Sequence, residues 1–487
     1  MWRRSGGRAA AMVFSNLTFV CLFLPITLAL YFSSPKWLHN TVLVFASIVF
    51  YIWGGRVAIV LVLISIGVNF YLGQAIASAE AARRTRLIRW SVAGNLFVLI
   101  VFKYLDFVVD NASVVLDAYF HWKIPSPHIP LPIGISFFTF HIISYLVDVY
   151  RGVAAPQRSP VPFALYIINF PQLIAGPIVR YRPISAQLTE RTATFIDFEA
   201  GVVRFAVGLA KKLLIANPIG AVADHLFALS PADLPVWGVW LAVICYAIQI
   251  YFDFSGYSDM AIGMARMFGF RFPENFNYPY SAFSIQDFWR RWHMTLSAWF
   301  RDYVYIPLGG SRGGFWPTAR NLWIVLLLCG AWHGASWNFI IWGMWHGLFL
   351  SIERIGIVER TLNCTPAVLR NIYVLVVVLV GWVFFRSLTL DQALDMLTRM
   401  FGLQPGSETM LSLWSNVAAP TMVLIIVAVC FSYPVWPRMM DALQRTTGGT
   451  AQVAYGVLRA GVVGAVTVLC IATMTVDQNN PFIYFRF

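Results

Sequence analysis

Residues 321–352 read NLWIVLLLCGAWHGASWNFIIWGMWHGLFLSI, an apolar stretch without Asp, Glu, Lys or Arg. A helix needs about 20 apolar residues to cross the roughly 30 Å hydrocarbon core of a bilayer, and this stretch is longer than that. We therefore expect it to be embedded in a membrane as helix. It also contains His333, an ionisable side chain that is costly in such a setting.

The composition of the whole chain extends this expectation. Of its 487 residues, 59% are hydrophobic and 12% are charged, whereas soluble domains carry about 25% charged residues. Apolar runs recur along the chain, so we expect roughly 11 to 13 membrane-embedded helices in an all-α polytopic membrane protein. The clearest runs are residues 17–32, 41–53, 57–77, 88–109, 131–150, 236–254, 321–352, 372–385, 421–431 and 453–474.

One apolar segment is typical of a broken or re-entrant helix. Residues 163–179 contain Pro171, Gly176 and Pro177. Non-helical backbone at membrane depth is tolerated only where protein or a cavity surrounds it. Because neither repeats nor a soluble domain are visible, we expect one membrane domain over residues 12–487, with the core motifs in residues 161–353.

The formal net charge of +13 bears on topology, because cytoplasmic loops of membrane proteins are enriched in Lys and Arg. Four arginines crowd residues 83–89, which we expect to form a short cytoplasmic loop. Three spans would then place the basic residues of 1–11 outside, against the same rule. A functional start at Met12 removes the conflict, so we expect residues 1–11 to be a non-native extension and the N-terminus to be periplasmic.

Residues 284–301, SIQDFWRRWHMTLSAWFR, predict one amphipathic helix. Ser284 and Asp287 have the spacing of a capping box, and Arg290 and Arg291 lie off the apolar stripe. The stripe consists of Phe288, Trp292, Leu296 and Trp299. Such a helix anchors in the headgroup plane or folds against a bundle near that level, and its arginines could also bind an anionic substrate. The sequence leaves both uses open.

His333 is the strongest candidate for chemistry. If one helix begins at Asn321, His333 lies about 18 Å along it, near the middle of the hydrocarbon core. Ionisable groups at that depth usually face a cavity and are functional, although a histidine can also hydrogen-bond a neighbouring helix. His346 lies thirteen residues further on, at a near-opposite face of an unbroken helix. We therefore expect His346 to be structural, nearer the far interface, and outside the same site.

Two other side chains are candidates near His333. His293 lies forty residues earlier, close enough in sequence for a loop to fold it back, although a lone histidine beside tryptophans is more often interfacial. Cys329 precedes His333 by one helical turn and raises a Cys/His nucleophile pair with a covalent acyl intermediate. An inert buried thiol is the commoner role of such a cysteine.

Polar residues also occur where an apolar span is predicted to end. Residues 251–259, YFDFSGYSD, bring Asp253, Ser255 and Asp259 there. The carboxylates could bind a substrate or pair with Arg266 and Arg271, and the sequence does not choose between these roles.

The glycine-rich residues 309–314, GGSRGG, could wrap an anion with backbone amides beside Arg312. They lack the lysine and the spacing of nucleotide-binding loops, so a flexible loop is the simpler interpretation. The six cysteines show neither a C-x-x-C pair nor metal-ligand spacing, and no metal site is predicted. Nothing beyond the net charge supports a nucleic-acid partner.

Seven motifs follow one another along the chain: LPIGISFFTF (131–140), FPQLIAGPI (170–178), YFDFSGYSD (251–259), FWRRWH (288–293), RDYVYIPLGG (301–310), WHG (332–334) and PFIYFRF (481–487). Together they resemble the AlgI-like bacterial proteins of the membrane-bound O-acyltransferase (MBOAT) superfamily. The resemblance runs from Met12 to the C-terminus. It is specific for the superfamily and does not identify a particular polysaccharide.

The resemblance implies a ring of membrane helices around a central tunnel, with the invariant family histidine at His333, beside Trp332, and the second family histidine at His293. It implies an O-acetyltransferase of the bacterial inner membrane that uses cytoplasmic acetyl-CoA as a co-substrate, without a permanently bound cofactor. A periplasmic partner of the SGNH-hydrolase type usually receives the acetyl group and modifies an exopolysaccharide such as alginate or cellulose, beside its synthase and secretion complex.

On this basis we expect the phosphates of acetyl-CoA near Arg290, Arg291 or Arg312 and its thioester at His333, which removes a proton from an acceptor hydroxyl. His293 would orient or polarise the reactants. Two alternatives stay open. One is transfer of a D-alanyl or longer acyl group, and the other is a transporter or polysaccharide-export channel, although the matching halves typical of transporters are not visible.

Overall fold

The computed structural model of the chain describes residues 13–55, 57–405, 419–435, 438 and 449–476. Across these residues the chain forms helices and no strand. Seven of the described helices are long and apolar enough to cross a membrane, and three shorter apolar helices accompany them. The prediction of an all-α polytopic membrane protein is confirmed. The proposed extension at residues 1–11 and the motif at 481–487 lie outside the described residues.

The chain divides into two compact units, the first comprising residues up to 205 together with 260–273. Its helices are α1 (Leu24–Ser33), α2 (His39–Gly55), α3 (Ala58–Ser78), α4 (Ala81–Phe120), α5 (Ile135–Tyr150), α6 (Pro160–Ile168), α7 (Phe170–Leu173), α8 (Tyr181–Ile184) and the first part of α9 (Phe195–Ala210). A π-helical turn, Phe19–Phe23, leads into α1.

The second unit comprises residues 206–259 and those from 274 onward. Its helices are the end of α9, α10 (Asn217–Ala228), most of α11 (Val236–Met267), α12 (Ile285–Arg291), α13 (Met294–Phe300), α14 (Phe315–His333), α15 (Trp337–Ile352), α16 (Gly356–Cys364), α17 (Ala367–Arg386), α18 (Leu390–Met400), α19 (Ala419–Phe431) and α20 (Gly449–Val476). Residues 211–216 and 301–305 are π-helical.

The four arginines of residues 83–89 lie in the first turns of α4, so the prediction that they form a loop is wrong. Forty helical residues extend about 60 Å, twice the thickness of a hydrocarbon core, so α4 emerges from the membrane. Nη2 of Arg84 donates to the main-chain oxygens of Val149 and Tyr150, at 2.9 and 2.7 Å. The guanidinium therefore binds carbonyl groups in the last turn of α5, where a cation is favourable to the helix dipole.

The break predicted in residues 163–179 is confirmed. Helix α6 ends at Ile168, α7 is one short turn, and residues 174–180 are non-helical. Residues 170–179 are buried throughout. The backbone N–H of Phe170 donates to Oγ of Ser47 at 3.0 Å, so a side chain of α2 satisfies a donor that the break releases.

Residues 321–352, by contrast, do not form one helix. Helix α14 ends at His333, Gly334 is extended, and Ser336 begins α15 by accepting a hydrogen bond from the N–H of Asn338 at 3.3 Å. The two helices then pack closely against each other. A Cβ at Gly330 would collide with the main-chain oxygen of Phe339, and one at Gly343 with that of Leu326. Glycine is needed at these positions because the two backbones are in contact.

The far end of α15 holds the start of α12. The carboxylate of Glu353 accepts hydrogen bonds from the N–H groups of Ile285 at 2.6 Å and Gln286 at 3.1 Å. Oγ of Ser284 accepts from the N–H of Asp287 at 2.9 Å, as the capping box predicts. These bonds satisfy the donors that a helix leaves free at its N-terminus and fix α12 to α15.

Two ion pairs join the segment after α9 to α11. Nζ of Lys212 lies 2.9 Å from Oδ1 of Asp253, with side-chain exposures of 4% and 2%, and Nζ of Lys211 lies 2.6 Å from Oδ2 of Asp259. Helix α11 continues to Met267, so the two aspartates lie within it. The prediction that they lie at its end is wrong. Attraction compensates the cost of removing these charges from water only while the pairs are intact.

Arg266 and Arg271, the sequence-predicted alternatives for these carboxylates, pair instead with Asp197, at 3.2 and 3.3 Å. Of the two roles that the sequence left open for the carboxylates, pairing with these arginines is therefore wrong. The sequence could have indicated the correct partners, Lys211 and Lys212, because a lysine within an apolar helical segment needs a counter-charge.

We predict that Gly343→Ala destabilises the protein, by about 1–3 kcal/mol, because the added methyl group forces α14 and α15 apart. Gly347→Ala is the matched control one turn along α15, where a Cβ would make ordinary contacts of 3.6 Å or more. Thermal unfolding of the purified protein in detergent measures the difference. Equal melting temperatures for the two variants would contradict this packing.

We also predict that Lys212→Met destabilises the protein by about 3–5 kcal/mol, because it leaves Asp253 charged and buried without its lysine. The double variant Lys212→Met, Asp253→Leu should recover much of that loss, since neither charge remains. The same thermal unfolding assay compares them. A single variant as stable as the wild type, or a double variant less stable than the single, would exclude a pair of this strength.

Candidate active site

His333 lies at the C-terminal end of α14, in a box of aromatic rings. Its ring is 4.9 Å from that of Trp332, 5.1 Å from that of Trp342 and 5.1 Å from that of Phe385, measured between centroids, and all three contacts are edge-on. Trp342 belongs to α15 and Phe385 to α17. Three helices therefore position the imidazole, and His333 is 5% exposed.

The predicted position of His333 along its helix requires correction. Helix α14 begins at Phe315, six residues before Asn321, so His333 lies about 27 Å along it and at its end. Its surroundings nevertheless match the expectation of a buried imidazole. The predicted tunnel that opens onto it from both faces of the membrane stays a prediction.

The break at Gly334 also changes the place of His346. Because α15 folds back along α14, Trp342 contacts His333 at 5.1 Å, and the ring of His346, one turn further along α15, lies 5.1 Å from the same indole. His346 is fully buried. The prediction of a near-opposite face assumed one unbroken helix and is wrong, and the position of His346 nearer the far interface stays a prediction.

His293 lies at a second helix break, where one amphipathic helix was predicted. Helix α12 ends at Arg291, Trp292 is extended, and His293 has φ 43° and ψ 52° before α13 begins at Met294. A positive φ is uncommon for a residue with a Cβ, and such strain persists only where the surroundings impose it. His293 is 1% exposed, so its interfacial interpretation is wrong. The four stripe residues are buried, at 0–4% exposure.

A polar network holds this strained turn. Nδ1 of His293 lies 3.0 Å from Oδ1 of Asn275, which also accepts from Oγ1 and the N–H of Thr295, at 2.9 and 3.3 Å. Nδ2 of Asn275 donates to Oγ of Ser258 at 3.0 Å, and its main-chain oxygen accepts from the N–H of Met294 at 2.9 Å. One asparagine thus connects α11 with the start of α13.

The two histidines that the sequence singled out contact the same indole. The ring of His293 lies 6.1 Å from that of Trp332, and the ring of His333 lies 4.9 Å from the same indole. The expected folding of His293 back toward the helix of His333 is therefore confirmed as geometry. Their catalytic roles stay predictions.

The other predicted site residues lie in different surroundings. Asp253 and Asp259 are paired with lysines, and Ser255 between them is 2% exposed. The neighbouring Phe254 contacts the ring of His293 at 4.7 Å. Cys329 is a buried free thiol on α14.

The basic candidates are not grouped with the imidazoles by any described contact. Arg290 is exposed, and Nε of Arg291 lies 2.9 Å from Oδ1 of Asp287, four residues away on α12. Arg312 is exposed in the 309–314 loop, whose four glycines all have positive φ. A turn of that conformation explains the glycines without a bound anion.

Sequence reasoning missed Asn275, Trp342 and Phe385. Asn275 follows Pro273 in a segment whose composition indicates only a loop, and its role depends on residues 17 positions before and 18 positions after it. Trp342 and Phe385 occur in apolar helices, where an aromatic residue is ordinary core. The described residues contain no group of three or more His, Cys, Asp or Glu side chains that could hold a metal ion.

Comparison with known proteins places the chain in a family. Residues 144–388 match the model of the membrane-bound O-acyltransferase family. The chain is 46% identical to the probable alginate O-acetylase AlgI of Azotobacter vinelandii, over 80% of this chain and 78% of that protein. It is 43% identical to the protein of the same name from Pseudomonas aeruginosa, over 86% and 81%. It is 35% identical to the peptidoglycan O-acetyltransferase of Helicobacter pylori, over 81% of each. The chain with these two buried histidines is thus an acyltransferase and belongs to the membrane-bound O-acyltransferase family.

Proposed function

We propose that this protein takes an acetyl group from cytoplasmic acetyl-CoA and passes it across the bacterial inner membrane for O-acetylation of an exopolysaccharide. The observation that carries the proposal is that two buried imidazoles, those of His293 and His333, both contact the indole of Trp332. Such a pair can bind and deprotonate a hydroxyl where little water competes. The relatives that carry the name O-acetylase or O-acetyltransferase support acetyl as the acyl group.

His333 is the proposed general base. The acceptor hydroxyl gives its proton to the imidazole of His333 as its oxygen bonds to the thioester carbonyl carbon. The C–S bond then breaks, and the proton passes from the imidazolium to the departing thiolate, so that coenzyme A leaves as the thiol. The net change is one thioester and one alcohol converted into one ester and one thiol.

The surroundings of His333 suit this role. Trp332, Trp342 and Phe385 exclude water from the ring, which protects the thioester from hydrolysis. The ring of His293 also contacts Trp332, and in this proposal His293 would orient a reactant. Donor and acceptor would reach the two histidines from opposite faces through the proposed tunnel.

The acceptor in this proposal is a periplasmic SGNH-hydrolase-type protein, which then acetylates the polymer beside its synthase and secretion complex. Alginate is the first polymer to test, because relatives that are 46% and 43% identical to this chain are named probable alginate O-acetylases. Exposed Arg290 and Arg312 are available for the phosphates of acetyl-CoA.

Acetyl-CoA labelled in its acetyl group tests the donor and the reaction class. With the purified protein in detergent, the periplasmic SGNH-hydrolase-type partner as acceptor and alginate oligosaccharides as the final substrate, we expect release of coenzyme A thiol and label first in the partner and then in the oligosaccharide. Palmitoyl-CoA and a D-alanyl thioester, run in parallel, should give neither. Turnover of either of these without acetyl turnover would support another acyl group, whereas absence of all thioester cleavage would favour a transport role and end the proposal.

His333→Gln tests the base. Glutamine keeps a polar side chain of similar length but cannot take the proton, so we expect kcat to fall by about 10²- to 10⁴-fold with an unchanged melting temperature. His346→Gln is the matched control, because it alters an equally buried imidazole against the same indole and should cost much less. A folded His333→Gln variant with wild-type turnover would remove His333 from the mechanism.

A further inference from the structure

The proton arrangement of His293 follows from its neighbours. A main-chain N–H can only donate, so the atom of Asn275 that faces the N–H of Thr295 is the amide oxygen. The same oxygen faces Nδ1 of His293 at 3.0 Å and cannot donate to it. Nδ1 must therefore carry the proton. In the neutral ring this leaves the lone pair on Nε2.

Nε2 of His293 is buried and has no hydrogen-bond partner among the described residues. Leaving a buried acceptor without a partner is unfavourable, and the positive φ of His293 adds strain. Both costs occur at one residue, and its Nδ1 is held by Asn275. This combination is typical of a side chain kept ready for a ligand that donates a hydrogen bond.

We propose that Asn275 is a positioning residue that fixes His293 in the Nδ1–H tautomer, so that Nε2 accepts a hydrogen bond from the acceptor hydroxyl. This inference rests on the proposed acetyl transfer and assigns different roles to His293 and His333. His293 in this tautomer orients the hydroxyl, and it cannot polarise the thioester carbonyl, because Nε2 has no proton to donate. The bond from hydroxyl to His293 directs the hydroxyl oxygen for attack while His333 takes the proton.

The other side of the Asn275 amide provides a matched control. Nδ2 donates to Ser258, and Ser258→Ala removes that bond without touching the oxygen that faces His293. The N–H of Thr295 still holds the amide in place. A general loss of order around Asn275 would follow from either change, whereas loss of the tautomer follows only from removal of the oxygen.

Asn275→Leu, Asn275→Asp and Ser258→Ala test the proposal in the acetyl transfer assay. We expect Asn275→Leu to lower kcat by about 100-fold with little change in KM for acetyl-CoA, since the donor is bound elsewhere. Asn275→Asp keeps an oxygen for Nδ1–H, but its charge favours a proton on Nε2 as well, so it should also lower kcat, whereas Ser258→Ala should stay close to the wild type. Wild-type kcat in a folded Asn275→Leu variant, or an equal loss in Ser258→Ala, would overturn the inference.

A double-mutant cycle covers the case in which Asn275→Asp does not fold. If Asn275 acts through His293, then adding Asn275→Leu to His293→Ala should lower kcat by less than about twofold further. A full additional loss would mean that Asn275 acts independently of His293. Wild-type protein is assayed in each series, so failure of the acetyl transfer itself is distinguished from failure of this inference.

Discussion

The contact between α14 and α15 is the constraint on which the candidate site depends. Gly330 and Gly343 let the two backbones touch, and the reversal at Gly334 makes this contact possible. Without the reversal His333 would be one residue within a long apolar helix, with Trp342 more than two turns away. With it, Trp342 packs edge-on against the imidazole, and α17 adds Phe385. Close backbone packing thus creates the aromatic surroundings of His333.

The second histidine depends on a similar break, held by polar bonds instead of glycine. Helix α12 is fixed at its start by Glu353 and ends before His293, where the main chain takes a left-handed conformation. Asn275 compensates for the interrupted helix by accepting from main-chain groups of Met294 and Thr295. The strain at His293 and the network around it are therefore two aspects of one arrangement.

Much of the fold could be predicted from the sequence, because apolar length is a strong signal for membrane helices. The window at residues 57–77 corresponds to α3, and the window at 372–385 lies within α17. The candidate span at residues 195–228, which comprises α9 and α10, was missed because its charged side chains lower the hydropathy. Periodicity extended across the break at His293, since the stripe residues Phe288, Trp292 and Leu296 are buried on either side of it, and the apolar run of residues 321–352 extended across the break at Gly334. Such breaks are decided by contacts with distant residues, which a local pattern does not contain.

His333 was found because an imidazole in an apolar run is conspicuous, and His293 through the resemblance of FWRRWH to a family motif, but the environment of both needed the structure. An uncompensated carboxylate beside a buried imidazole would favour the protonated ring, which cannot act as a base. Helix α11 contributes Phe254 and Ser258 to the surroundings of His293, and it carries Asp253 and Asp259 in the same stretch. Lys212 and Lys211 neutralise these two carboxylates, and Asn275 offers His293 a neutral oxygen where an aspartate would add charge. In the proposed mechanism the ion pairs on α11 would therefore serve the chemistry as well as stability, because they let a polar helix line the site without making its imidazoles cationic.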